Sequence, residues 1–425
     1  MKEEFLHYVW KFQYFDKTAL QTTCKQPVSI QHPGYQNFDA GPDFEQGKVK
    51  IEQLNWVGQI EIHYHSSDWF KHQHQLDLAY DNVILHVVWN DDQAVYRSDG
   101  SRIPTIELKH RVDPQLIEKF KQLIVSPHQI ACAENFSDVS QLIQLSMLDK
   151  VLMERLDRKA NEVLELLKVN QMDWEETTYQ VLAKNFGFKI NAFPFLLLSR
   201  GLPFKLLKKH GNQLFQLEAL LFGQSGLINK YITSDHYHQK LSKEYRFLAH
   251  KYQLLSKQLT LAQWKFLRMR PANFPTIRVA QFAALHHQHQ SFFSKLLHAN
   301  SIEEFEQLFQ VQQSAYWTSH YLFGKKSKKG IASLGQRSIQ NILINSVVPL
   351  LVAYGKHRSE QHFIDRGIAL LSSIKAESNA ITKHWEKLSL PLKSAFDSQG
   401  AIEWYQEYCA KHKCLNCSIG VKLVR

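Results

Sequence analysis

The run NVILHVVW over residues 82–89 is almost unbroken in its apolarity, and a strand buried on both faces is the element that accommodates it. Such a strand needs neighbours, and the flanking sequence supplies them. Residues 56–65 place Ile60, Ile62 and Tyr64 on one face and Glu61, His63 and His65 on the other, the two-residue period of a strand. Residues 47–54 alternate Val49 and Ile51 against Lys48, Lys50 and Glu52, and residues 28–32 form a short strand closed by Pro33-Gly34. Ahead of these, Phe5, Val9, Trp10, Phe12 and Phe15 mark one buried face of a helix over residues 3–15. Ser66-Ser67-Asp68 signals the start of a helix running to about Tyr80. Residues 94–97 and 102–108 flank Asp99-Gly100 as a hairpin, and residues 113–125 are helical. The order helix, three strands, helix, strand, hairpin, helix predicts one mixed α/β domain over residues 1–127.

From about residue 138 the strand patterns vanish and Leu, Ala, Lys, Gln and Glu recur at helical spacing. This predicts a larger all-α domain over residues 138–425, with a cysteine-containing C-terminal tail and a linker at residues 126–137. A chain of 425 residues exceeds the span of one core, and 44% hydrophobic residues suffice for two. No apolar run approaches the roughly 20 residues of a membrane helix; the longest, residues 347–354, contains Pro349. Glu3 and Glu4 stand where a signal peptide carries basic residues, so a cytoplasmic protein without membrane contact is expected. The net charge of +11 favours a polyanionic partner such as nucleic acid, although a basic surface alone does not require one.

The chemistry concentrates between Gly41 and Trp89, where Asp43, Glu61, His63, His65, Asp68, His72, His74, Asp77 and His86 lie close in sequence. Polar groups inside strand-like runs cost about 1–3 kcal/mol each when buried without partners, so they are expected to serve one another or a metal. Two carboxylates brought together repel unless a cation shares them, and Mg²⁺ or Mn²⁺ does so in phosphoryl chemistry. Pro42-Asp43 followed by Glu61-Ile62-His63 resembles the PD-(D/E)xK nuclease superfamily, in which Pro-Asp precedes a strand and an acidic-x-Lys triplet lies on the next. The resemblance implies a restriction-endonuclease-like core, Asp43 and Glu61 as metal ligands, Glu4 as a third from the first helix, and His63 at the water. His63 stands where that pattern has lysine, which leaves activity in question.

The histidines support a rival reading. His63 and His65 share a strand face, and with His72, His74, His86, Asp68 or Asp77 they can build a Zn²⁺, Fe or Mn centre; on one helix, His72 and His74 diverge. In the plainer alternative His86 is a buried group hydrogen-bonded to Glu61 or Asp77. Three functions follow: a metal-dependent nuclease or phosphodiesterase, a non-catalytic nucleic-acid-binding protein on a decayed nuclease fold, and an unrelated histidine-rich metallohydrolase.

The blocks GPDF, GQIEIHYHSSDW, HQHQLDLAYDNVILHVVW, KNFGFKIN, FQLEALLFGQSGL, RMRPANFPTIRVAQFA and YCAKHKCLNCSIG resemble the bacterial domain-of-unknown-function family 2851 over residues 4–420. That resemblance implies a two-part protein and carries no activity.

Two motifs lie outside the α/β domain. Arg268, Arg270 and Arg278, with Trp264, Phe266 and Phe274 nearby, suit phosphate contact and base stacking, or else pin one helix to the next. Cys409, Cys414 and Cys417 include a Cys-x-x-Cys chelate spacing for zinc or an iron–sulfur centre, with His412 a poorly placed fourth ligand. Reduced structural cysteines at a helix end are the alternative.

Overall fold

A six-stranded mixed sheet organises the N-terminal part of the computed structural model, which describes residues 3–37, 39–230 and 235–425. Its strands are β1 (Val28–His32), β2 (Tyr35–Gln36), β3 (Phe44–Ile51), β4 (Leu54–His65), β5 (Val83–Asn90) and β6 (Thr105–Glu107). They lie in the order β1-β3-β4-β5-β6, with β2 added to β3. The pairs β1–β3 and β3–β4 are antiparallel, while β4–β5 and β5–β6 are parallel. The apolar run forms β5, buried along its whole length except at Asn90. Helix α1 (Glu3–Phe12) contributes Phe5, Leu6, Val9 and Trp10 to a core shared with Phe44, Ile60, Ile62, Leu85 and Val87.

Two predicted elements fold differently. The helix expected over residues 68–80 is a single turn, α2 (Asp68–Lys71), followed by two 3₁₀ turns, His74–Leu76 and Leu78–Tyr80. Gln73 breaks it by adopting a left-handed conformation at φ 62°, which a continuing right-handed helix cannot contain. The expected hairpin keeps its tight turn, with Gly100 at φ 79°, but its ladder reduces to one bridge between Tyr96 and Arg102. Its second limb becomes β6 and pairs with β5; Pro104, just before it, has no N–H to give a hairpin ladder.

The chain folds as two units, Met1–Met147 with Trp404–Arg425, and Leu148–Glu403. The C-terminal segment therefore groups with the sheet, and its Leu415 and Val424 enter the same core as Phe5 and Val28. Residues 126–137 are not a spacer. Ile130 and Phe136 are buried, and Ala133–Asp138 is a 3₁₀ helix. The Gln144 amide donates to the carbonyls of Phe136 and Val139.

The second unit is mostly helical, around a core that includes Tyr179, Phe186, Phe195, Phe222 and Phe282. It is not all-α, because β7 (His320–Leu322) and β8 (Lys325–Lys326) pair as a short antiparallel hairpin. Asp173 caps the helix Trp174–Phe186 by accepting from the N–H groups of Glu175 and Glu176, a contact of about 1 kcal/mol. One helix, Gln336–Arg358, is long and apolar enough to cross a membrane by length and composition, although its sequence holds only a short unbroken apolar run; 72% of its apolar window is buried inside the protein.

Candidate metal centre

The register of β4 and β5 builds the centre. Glu61 stands opposite His86 and His63 opposite Val88 in a parallel pair, so Glu61, His63 and His86 leave one face of the sheet. His63 Nδ1 is hydrogen-bonded to His86 Nε2 at 2.8 Å, and His63 Nε2 lies 3.1 Å from His72 Nδ1. The break at Gln73 turns the chain so that His72 and His74 both meet His63, and ligand atoms of the three imidazoles lie within 4.8 Å of one another. Glu61 Oε1 is 3.5 Å from His63 Nε2 and 3.3 Å from His74 Nε2. Ligands bound to one ion at about 2.0–2.2 Å stand roughly 3–3.5 Å apart, so these separations fit a shared cation. Tyr80 stacks on His74 with ring centroids 3.8 Å apart, and Trp69 packs edge-on against it.

Asp43 joins from the start of β3. Gly41 turns the chain at φ 109°, and the Asp43 N–H donates to Glu61 Oε2 at 3.1 Å. The N–H of Ile62 donates to Asp43 Oδ2 at 2.9 Å. His7 Nε2, from α1, sits 3.3 Å from the same Oδ2. Asp43 and Glu61 are therefore joined through the backbone N–H of one and the carboxylate of the other.

The electrostatics of the cluster follow from burial and from its own charges. Burial, and then the neighbouring Asp43 charge, push Glu61 up to about 9, against the lowering effect of the Asp43 N–H. Burial and then the surrounding imidazoles drive His63 down to about 2, and burial takes His86 to about 3. These histidines are neutral at pH 7, the form in which imidazole binds metal. His74 Nε2 is buried without a hydrogen-bond partner although it faces Glu61. His7 shifts the other way: burial lowers its pKa, but Asp43, Glu3 and Glu61 together more than offset this and the net shift is upward.

His65, Asp68 and Asp77 have partners outside this cluster. His65 flanks Asp92 at 3.7 Å, and Asp68 accepts from the His65 N–H and from Lys71. Asp77 is an exposed cap for Ala79. Glu4 lies in the first turn of α1, its side chain partly buried. Glu3 and His7 escaped the sequence reading. Burial, and then the Asp43 charge, raise the pKa of Glu3, and its spacing of four from His7 on one helix was the available signal.

A family model described as a protein of unknown function, DUF2851, matches residues 3–380. The chain belongs to this family. The match spans the whole centre of this DUF2851 protein, from Glu3 to His86, and the arginine segment beyond it. No curated protein and no solved structure matches the chain.

In the second unit of this DUF2851 protein, Arg268 and Arg270 are exposed, but Arg278 is buried. Its guanidinium donates to Gln281, Asn273 and Ser338 and lies 4.6 Å over the Phe188 ring. Trp264 is buried and donates to the Ser225 carbonyl. Arg278 and Trp264 are thus internal clamps rather than a stacking surface.

Proposed function

We propose that this chain is a metal-dependent phosphodiesterase acting on nucleic acid, with Glu61, His63, His72 and His74 holding the ion and Asp43 and His7 beside it. The observation that carries the reading is the buried, partnerless His74 Nε2 facing a buried Glu61 carboxylate, with two more imidazole nitrogens in the same cluster. An imidazole-rich set suits Mn²⁺ or Zn²⁺ better than the Mg²⁺ that two carboxylates alone would favour. The neutral His63 cannot replace the charge of a nuclease lysine, and here it is a ligand instead.

The nuclease comparison is supported by the chain order α1, β1, β3, β4, a crossover and parallel β5, with Pro42-Asp43 entering β3 and Glu61-x-His63 on β4. The bound ion would lower the pKa of a water and stabilise phosphoryl charge. Asp43 would accept the proton of the attacking water. His7, held toward its protonated form by Asp43, gives its proton to the departing oxygen. Arg268 and Arg270 are the exposed candidates for phosphate contact.

A second reading follows from burial: Glu61 is 5% and His63 1% exposed, which also suits a structural ion fastening the residue 68–80 segment to β4. Incubating the full chain with DNA or RNA and Mn²⁺, Zn²⁺ or Mg²⁺ separates the two. Cleavage that needs Mn²⁺ or Zn²⁺ and disappears in Asp43→Asn supports the phosphodiesterase. Mn²⁺ bound without cleavage supports the structural ion, and absence of bound Mn²⁺ overturns both.

A further inference from the structure

Four of the five cysteines meet at one place. Cys132, Cys409, Cys414 and Cys417 line a cavity of about 20 Å³, walled by Leu123 and Trp404 among others. The C-terminal triplet was visible in the sequence, whereas Cys132 arrives from the segment after the helix Pro114–Ile124. His412, the fourth ligand considered from sequence, is exposed and does not line the cavity.

The backbone is shaped around this cluster. The helix Ala395–Trp404 widens into a π turn over Tyr405–Cys409, and His412 reverses the chain at φ 52°. The Cys417 N–H donates to the Cys414 carbonyl at 3.2 Å. A Cβ on Gly420 would lie 2.1 Å from that carbonyl oxygen, so the following helix can approach only with glycine there. The Trp404 indole N–H donates to Cys417 Sγ at 3.3 Å, a contact that strengthens when the sulfur carries charge. Burial and then the neighbouring sulfurs push Cys132 up to about 12 and Cys409 in the same direction. Without a metal Cys132 and Cys409 hold their protons, and a bound cation would reverse that preference.

We propose that Cys132, Cys409, Cys414 and Cys417 form a four-thiolate site for a thiophilic metal centre, a zinc ion or an iron–sulfur cluster, that fastens the C-terminal segment to the segment carrying Cys132. Four thiolates satisfy the tetrahedral preference of zinc and equally the ligand count of an iron–sulfur cluster. Each cysteine releases its proton to solvent as the metal binds.

The test uses the full chain. Anaerobically purified protein is assayed for iron, acid-labile sulfide and zinc, and the metal-free reduced chain is titrated with Co²⁺. Visible cluster absorbance with iron and sulfide identifies the cluster, while zinc together with sulfur-to-cobalt charge-transfer bands identifies the single ion; either result supports the site. Imidazole and carboxylate ligands give no sulfur-to-cobalt band, so the histidine centre cannot mimic it. Cys132→Ser should remove the signal and Cys24→Ser, at an exposed position, should keep it. Wild-type protein showing neither cluster absorbance nor a charge-transfer band overturns the proposal, as does a full signal in Cys132→Ser.

Discussion

Asp43 and Glu61 are latched to each other: the Asp43 N–H donates to Glu61 Oε2 at 3.1 Å, and the N–H of Ile62 donates back to Asp43 Oδ2 at 2.9 Å. Glutamine at position 61 keeps an acceptor for that N–H but removes the charge. Glu61→Gln is therefore expected to change stability by less than about 1 kcal/mol and to weaken Mn²⁺ binding by at least roughly 10–100-fold. Glu61→Ala leaves the Asp43 N–H without its acceptor and should cost about 1–3 kcal/mol as well. Urea melts alongside calorimetric metal titration check both.

Gln73 holds the left-handed turn that places His72 and His74 together. Glycine adopts that conformation freely, whereas a β-branched residue resists it. Gln73→Gly should keep metal affinity and stability near wild type. Gln73→Val should cost about 1–3 kcal/mol and lower metal affinity by pulling the two imidazoles apart. Equal metal affinity in both variants would remove the turn from the account of the centre.

His286 is fully enclosed by Tyr179, Phe204 and Phe282, and neither ring nitrogen has a hydrogen-bond partner among the described residues. Burial, followed by the nearby His289, lowers its pKa from 6.5 to about 3. Below pH 6.5 the unfolded chain takes up a proton that the folded chain refuses, so this contribution to stability is complete above pH 6.5 and is lost as pH falls toward 3. His63 and His86 act in the same direction. His286→Phe should flatten the acid limb of a stability–pH profile and raise stability at neutral pH by about 1–3 kcal/mol, since it removes an unpartnered buried polar group. An unchanged acid limb would contradict this.

The arginines separate by burial. Arg278→Ala removes a buried guanidinium hydrogen-bonded to three neutral side chains and should destabilise the protein by about 1–3 kcal/mol for each acceptor left buried without a partner. A double Arg268→Ala, Arg270→Ala variant should leave the melting curve in place and weaken nucleic-acid binding, with the slope of affinity against salt reduced by about two contacts' worth. Unchanged affinity and slope in the double variant would exclude these two residues from the interface.

Strands were legible because a two-residue period needs only local sequence: residues 28–32 form a strand as read, and Glu61 and His63 share a face for the same reason. The helix start at Asp113 was legible, and its side chain caps the helix. The union of His72 and His74 with His63 was not, because glutamine at position 73 carries no turn signal and an unbroken helix would send the two histidines apart. Charge does not report burial, so Arg278 read like its exposed neighbours. Cys132 joins the other cysteines only through tertiary folding, which spacing along the chain cannot reveal.

Manganese titration of the metal-free full chain, followed by electron paramagnetic resonance, tests the histidine–glutamate centre most directly, because Mn²⁺ prefers nitrogen and oxygen donors to thiolates. Wild-type protein and Cys132→Ser should bind the ion alike, while Glu61→Gln combined with His74→Ala should lose it and remain folded. Mn²⁺ bound equally well by the double variant, or by none of the three proteins, would contradict a metal at this centre.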